Sequence, residues 1–155
     1  MFRKASFVGF FGLVVAVAGV ITLQYRFPIG PVVLGLSLVP LCGLLLAGRS
    51  IKGALPDLIF GAIDTGLLTV PALWGGVLFG VAGAIAGGVV GDALTDAIAG
   101  FFEGGIAESL RKRGITESRE PVTTSLGKMA GCLFGSGLVL SLALIFGIHP
   151  EFKPG

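Results

Sequence analysis

Charge is what this sequence has least of. Charged residues make up 13% of its 155 residues and hydrophobic ones 54%, with a mean hydropathy of +0.96. A soluble domain of this size needs more charge to cover its surface, so the excess apolar surface points to lipid. Imidazole and thiol are scarce too: one histidine and two cysteines. Cys42 and Cys132 stand far apart inside apolar runs and His149 lies beside Pro150, which is not the close spacing of a zinc or copper site. The same scarcity leaves no Ser/His or Cys/His pairing and no second histidine, so no enzyme is expected. Period-two alternation is also missing, which excludes a membrane β-barrel.

What is present is a series of continuous apolar runs. A helix needs about 20 mostly apolar residues to cross the hydrocarbon. Five runs qualify: about Ser6 to Leu23, Pro31 to Ala47, Ala54 to Leu73, Gly75 to Phe102, and Leu126 to Ile148. The expected fold is therefore all-α, a polytopic helical membrane protein with about five transmembrane helices. Its first part is an N-terminal hairpin over 1–50. Its second, over 51–155, is an acidic three-helix core with a cytoplasmic loop at about 103–125. With a cytoplasmic N-terminus, Arg3, Lys4, Arg49, Lys52, Arg111, Lys112, Arg113, Arg119 and Lys128 all lie inside, and Arg26 and Lys153 outside. The positive-inside bias thus predicts N-in and C-out in a multi-pass cell (plasma) membrane protein. Tyr25 and Trp74 then fall at outer ends, where interfacial aromatics belong. Arg3 and Lys4 ahead of an apolar run ending Ala16-Val17-Ala18 also have the look of a signal peptide. We expect an uncleaved helix.

Glycine supplies the packing pattern. Gly83, Gly87 and Gly91 repeat every four residues, as do Gly127, Gly131 and Gly135, and Gly76 and Gly80 add a similar step. This spacing puts small residues on one helix face, where backbones approach closely. The series are read as packing seams, within the protomer or across a homodimer. Pro71 is expected to end or kink the third helix. The short uncharged link Pro71-Ala72-Leu73-Trp74-Gly75-Gly76 then joins helices three and four as an antiparallel hairpin.

Against this background the acidic residues stand out. Asp64 lies about ten residues into its run, or ~15 Å deep at 1.5 Å per residue, near the midplane. An Asp there costs roughly 2.5–3.5 kcal/mol and needs a partner or a wet cavity. Asp57 shares its face seven residues earlier, and Thr65 and Thr69 add hydroxyls. Asp92 and Asp96 are one turn apart, expected in the inner third of the bilayer, with Thr95 between them. They repel unless a cation intervenes or one is protonated. Glu103 returns to the same angular position if the helix continues. Asp57 has the alternative of capping its helix, Asp96 of lying at the interface, and Glu103 and Glu108 of belonging to an amphipathic surface segment. No Lys or Arg falls in the middle of a span, and Lys128 is the local counter-charge. Acidic oxygen clusters suit hard cations such as Ca²⁺, Mg²⁺ or Na⁺. The Arg111-Lys112-Arg113 run reads as a topology signal near anionic lipid, not as a nucleic-acid site.

Phe60-Gly61-Ala62-Ile63-Asp64-Thr65 resembles a Phe-Gly-x-x-Asp-Asn element of the transmembrane protein 65 family. Gly91-Asp92-Ala93-Leu94-Thr95-Asp96, followed by Gly100 and Glu103-Gly104, is similar to that family's second element. Leu126-Gly127-Lys128-x-x-Gly131-Cys132 resembles the start of its last helix. The resemblance spans about Phe60 to Phe146. The chain departs from the animal pattern in carrying Asp92 where that pattern has Asn, and Thr65 in place of an Asn. It also has two helices ahead of the shared part. Animal members are mitochondrial inner-membrane proteins tied to sodium-dependent calcium efflux. The resemblance therefore implies ion transport, with Asp64, Asp92 and Asp96 as candidate ligands, in a bacterial or archaeal plasma membrane.

The expectation is a cation transporter, a Ca²⁺/Na⁺ antiporter or close variant. Its candidate ligands are Asp64, Asp92, Asp96, Asp57, Thr65, Thr95 and Glu103. No cofactor is expected beyond the transported ions, and the partners are lipid, cations and a second copy. A non-transporting scaffold or regulatory subunit fits the glycine seams and charged loop equally well.

Overall fold

A computed structural model describes residues 2–112 and 120–148. Among them every element is helical: α1 Phe2–Gln24, α2 Ile29–Leu36, α3 Leu38–Leu46, α4 Ile51–Lys112 and α5 Pro121–Ile145. Four helical stretches are long and apolar enough to cross a membrane, with α2 and α3 together forming one of them. Their surfaces fit that reading. Phe10, Leu13, Phe79, Val81 and Phe101 are among many large apolar side chains left exposed, an arrangement water would penalise and lipid does not.

The second span is broken. Its two halves meet at Ser37, whose hydroxyl donates to the Leu34 carbonyl at 2.6 Å. Pro40 explains the break, because it has no N–H to give the preceding turn. Elsewhere the helices extend beyond the apolar runs. α4 continues through Glu103 to Lys112, and α5 begins at Pro121, so the polar loop expected over 103–125 is shorter at both ends. Glu108 and Lys112, four apart, pair at 2.8 Å on the extension, and Glu120 caps α5 ahead of Pro121. Such a polar helix needs no apolar run, which is why the hydropathy pattern missed it.

The largest difference lies inside α4. The chain does not turn over Pro71 to Gly76; it stays helical to Phe79 and reverses at Gly80, with φ 66° and ψ −148°. Glycine adopts that conformation freely and other residues do not. Pro71 sits within the first arm, and its carbonyl packs against Gly87. Gly83 packs on Gly75, and Gly91 on Leu68 and Pro71, one turn per step. The arms 51–79 and 81–112 therefore run antiparallel, as expected, but Gly80 is the reversal and not part of a seam. Trp74 consequently sits six residues short of the turn, about 9 Å along the helix at 1.5 Å per residue.

α5 runs parallel to the first arm. A Cβ on Gly131 would collide with the Leu58 carbonyl and one on Gly135 with that of Ala62, while Gly127 lies on Ala54. On another side α5 packs antiparallel to α2, through Gly137 on Leu34 and Gly30 on Ser141. The N-terminal helices and the acidic core thus share one helix as a common wall. Both four-residue glycine series are filled by the chain's own first arm, so neither is available to a second copy.

At one end Phe11, Leu44, Ala54, Val122 and Leu126 form a core, with the Phe11 ring seated on Gly43. Glu120 closes that end. It accepts from Val122 N and Thr123 N at 3.1 Å, from Lys4 Nζ at 2.7 Å, and pairs with Arg49 Nη2 at 3.3 Å. The start of α1, the α3–α4 link and the start of α5 are thereby brought to the same end.

Candidate functional site

The hairpin register sets the depth of each acidic residue. Asp64 lies 13 residues after Ile51 and 15 before Phe79, roughly 20 Å from either end of its arm at 1.5 Å per residue. It is mid-span and 7% exposed. Among the described residues its Oδ1 has no hydrogen-bond partner. A buried acceptor left unsatisfied costs about 1–3 kcal/mol, and more when charged. Extending the Gly75–Gly83, Pro71–Gly87 and Leu68–Gly91 register by one turn puts Thr95 level with Asp64. Thr95 is buried as well, and its hydroxyl donates to the Asp92 carbonyl at 3.2 Å.

The same register moves Asp92 to about the level of Leu67. It lies near the middle of the hairpin, 12 residues from the reversal at Gly80. Asp92 and Asp96 are both exposed on the second arm. Asp92 lines an open-sided cavity of about 610 Å³ between the two arms and α5. Three hydroxyl residues share that lining: Thr65, Thr69 and Ser136. The Thr69 hydroxyl donates to the Thr65 carbonyl at 2.6 Å and shares a 2.9 Å hydrogen bond with Ser136, which itself lies 3.4 Å from that carbonyl. The remaining lining is apolar, including Leu68, Leu73, Ile85, Val89 and Leu140. Asp64 and Asp96 are not lining residues.

The other candidates separate. Asp57 is half-buried beside Gly127 on α5. It is not the helix cap, since α4 starts at Ile51 and has no acidic residue in its first turn; Ser50 accepts the Gly53 N–H at 3.0 Å instead. The side chain of Glu103 falls outside the described residues, as do Arg113, Arg119, His149 and Lys153 altogether. Lys128, the expected counter-charge, holds its ammonium 4.7 Å from the centre of the Phe60 ring, a contact worth about 0.5–1 kcal/mol at an exposed site. Among the described residues no three Asp, Glu, His or Cys side chains converge as a metal centre. Cys42 and Cys132 are both free thiols.

Two residues went unread in the sequence. Ser136 was hidden inside a glycine series; a hydroxyl one residue from a packing glycine was the available signal. Glu120 was hidden in a polar loop. The Lys4 ammonium holds its carboxyl down to about 2 from an ordinary 4.5, helped by Thr123 and Arg49 and opposed by burial. Its position before Pro121 was the signal of a helix start.

Comparison with protein-family models, curated proteins and solved structures finds no match to this chain.

Proposed function

We propose that this chain is a membrane cation carrier whose working element is the α4 hairpin clasped by α5. The observation that carries the reading is Asp64. It is buried at mid-span with an unpartnered carboxylate oxygen, on the arm packed against the one that carries Asp92. An intramembrane carboxylate is costly to keep and marks an ion or proton pathway more often than a structural contact. Asp64 is the proposed primary ligand and Asp92 the second. Thr65 and Thr95 assist, with Asp96 and Asp57 as further candidate ligands.

Ca²⁺/Na⁺ antiport is the specific form we favour, on the strength of the motif resemblance over Phe60 to Phe146. Two cations competing for one acidic site exchange when the loaded site can face either side. The topology that goes with it is five crossings, N-in and C-out, in the plasma membrane. Five helices leave little room for internal gating, so a homodimer is the proposed unit, formed on surfaces other than the two filled glycine series.

Flux through proteoliposomes holding the purified chain tests this. A sodium gradient drives calcium uptake by the wild type, and Asp64→Asn and Asp92→Asn each abolish it. Intact flux in both variants overturns the site. A second reading, a regulatory subunit for another transporter, draws on the exposed apolar face of the second arm, where Val81, Ile85, Val89, Leu94 and Phe101 are all uncovered. It gains if the purified chain alone moves no cation.

A further inference from the structure

Without Asp64, which does not line it, the open-sided cavity between the α4 arms and α5 holds too few oxygen ligands to bind an inorganic cation by itself. Ca²⁺ takes six to eight oxygens, most of them charged or strongly polarised. Among the described residues Asp92 is the sole carboxylate in the lining, and the Thr69 and Ser136 hydroxyls are already engaged with each other and with the Thr65 carbonyl. The other walls are aliphatic, Leu68 and Val89 among them, and among the described residues no Lys, Arg or His lines the cavity. It is an open-sided groove, and the space along it, about 610 Å³, has room for a small organic molecule that keeps one side toward the surroundings.

We propose that this cavity binds an organic ammonium ion, an amine with a compact apolar body, with the ammonium on Asp92 and the body against the aliphatic walls. Each part of the ligand meets a matching part of the site. A carboxylate near the bilayer midplane needs a counter-charge, and the cavity's own side chains supply none. A primary ammonium brings one positive charge and three donors, enough for Asp92 and a neighbouring hydroxyl oxygen such as that of Thr65. The apolar body leaves an apolar surrounding for an apolar wall and needs no further polar partner. The open side of the cavity lies at membrane depth, so such a ligand enters laterally from the bilayer. The inference goes beyond inorganic-cation carriage and does not depend on it.

The test is equilibrium binding of tritiated phenylbutylammonium to the purified full chain in detergent micelles, read by scintillation proximity. Binding is expected to saturate, with neutral phenylbutanol competing at least tenfold more weakly than unlabelled phenylbutylammonium. Asp92→Asn is expected to weaken binding at least tenfold, and Glu108→Gln, on the polar extension of α4, to leave it within about twofold. Gly88→Leu is a second block that does not rely on charge. Gly88 lines the cavity, and a Cβ there meets nothing within 4 Å, so a leucine has room at its root, and its bulk is expected to abolish binding in a variant that stays monodisperse. Equal competition by the alcohol identifies an acyl-chain groove and overturns the proposal. So does unchanged binding in Asp92→Asn, or no saturable binding to a monodisperse wild type. Ammonium binding without sodium-driven calcium flux removes the carrier reading and leaves this one; flux without ammonium binding does the reverse.

Discussion

The two arms of α4 are made of similar material and end in different circumstances. Each is an apolar helix with glycines every few residues and an aspartate near its middle. The first arm is gripped on two sides, by α5 through Gly127, Gly131 and Gly135 and by the second arm through Gly83, Gly87 and Gly91. Its Asp64 is enclosed. The second arm meets the rest of the chain mainly through its glycine face, and its Asp92 and Asp96 are open. Enclosure is thus set by how many neighbours a helix has, not by the residues flanking the aspartate. An enclosed carboxylate with an unpartnered oxygen is held against its own desolvation; an open one is not.

Breaking the grip on each arm separately probes this contrast most strongly. Gly131→Leu drives a side chain into the Leu58 carbonyl and is expected to cost about 3 kcal/mol. Gly87→Leu collides with Pro71, but an arm held on one face can shift, so about 1–2 kcal/mol is expected. Gly9→Leu on α1 meets nothing within 4 Å and stays within about 0.5 kcal/mol of wild type. Equilibrium unfolding in mixed micelles measures all three. Equal losses in Gly131→Leu and Gly87→Leu would erase the distinction between the arms.

The hinge joining the arms comes next. Gly80 has open space around it, so Gly80→Ala isolates backbone strain, expected to cost about 2 kcal/mol. A neutral outcome would place the reversal elsewhere.

Asp64 gives an effect of opposite sign. Asp64→Leu removes a buried unsatisfied acceptor and is expected to stabilise the chain by about 1–2 kcal/mol while abolishing flux. Asp96→Leu, at an open position, is expected to change stability by less than about 0.5 kcal/mol. Destabilisation by Asp64→Leu would make Asp64 a structural residue with a partner.

The smallest effect belongs to the Glu120 clasp, which holds the start of α1 and the α3–α4 link but neither α4 arm. Its carboxyl is lowered from 4.5 to about 2 in the folded chain. A depressed carboxylate contributes stability above its unfolded value and loses it as pH falls through the folded one. Wild type should therefore exceed Glu120→Gln in thermal stability above about pH 4.5, with the gap closing toward pH 2. A gap that widens on acidification would contradict the assignment.

Much of this architecture was legible in the sequence. Continuous apolar runs specify helices and spans because lipid demands that each backbone group be satisfied within its own segment. The four-residue glycine spacing specified close packing, and the antiparallel hairpin was expected, although the link expected to form it, Pro71 to Gly76, is helical. The sequence did not say which glycine turns the chain. Gly75, Gly76 and Gly80 are equally permissive by type, and the turn belongs to the one from which both arms reach their seams. Nor could it say which helix fills which seam, since Gly131 and Gly87 carry the same pattern and meet different partners. Asp64 was legible as an anomaly from its depth alone. That Asp92 and not Asp64 faces the cavity depends on rotation of two packed arms, which no local pattern encodes. Ser136 and Glu120 were missed for a related reason: each acquires its role from residues more than sixty positions away.

The most direct test is whether a cation binds through Asp64. A ligand that binds the folded state raises the unfolding midpoint with its concentration. Cation carriage predicts that Ca²⁺ or Na⁺ raises the thermal midpoint of the purified wild type dose-dependently, and that Asp64→Asn, folded and monodisperse, loses the shift. A shift of equal size in Asp64→Asn, or none from either ion in the wild type, would contradict it.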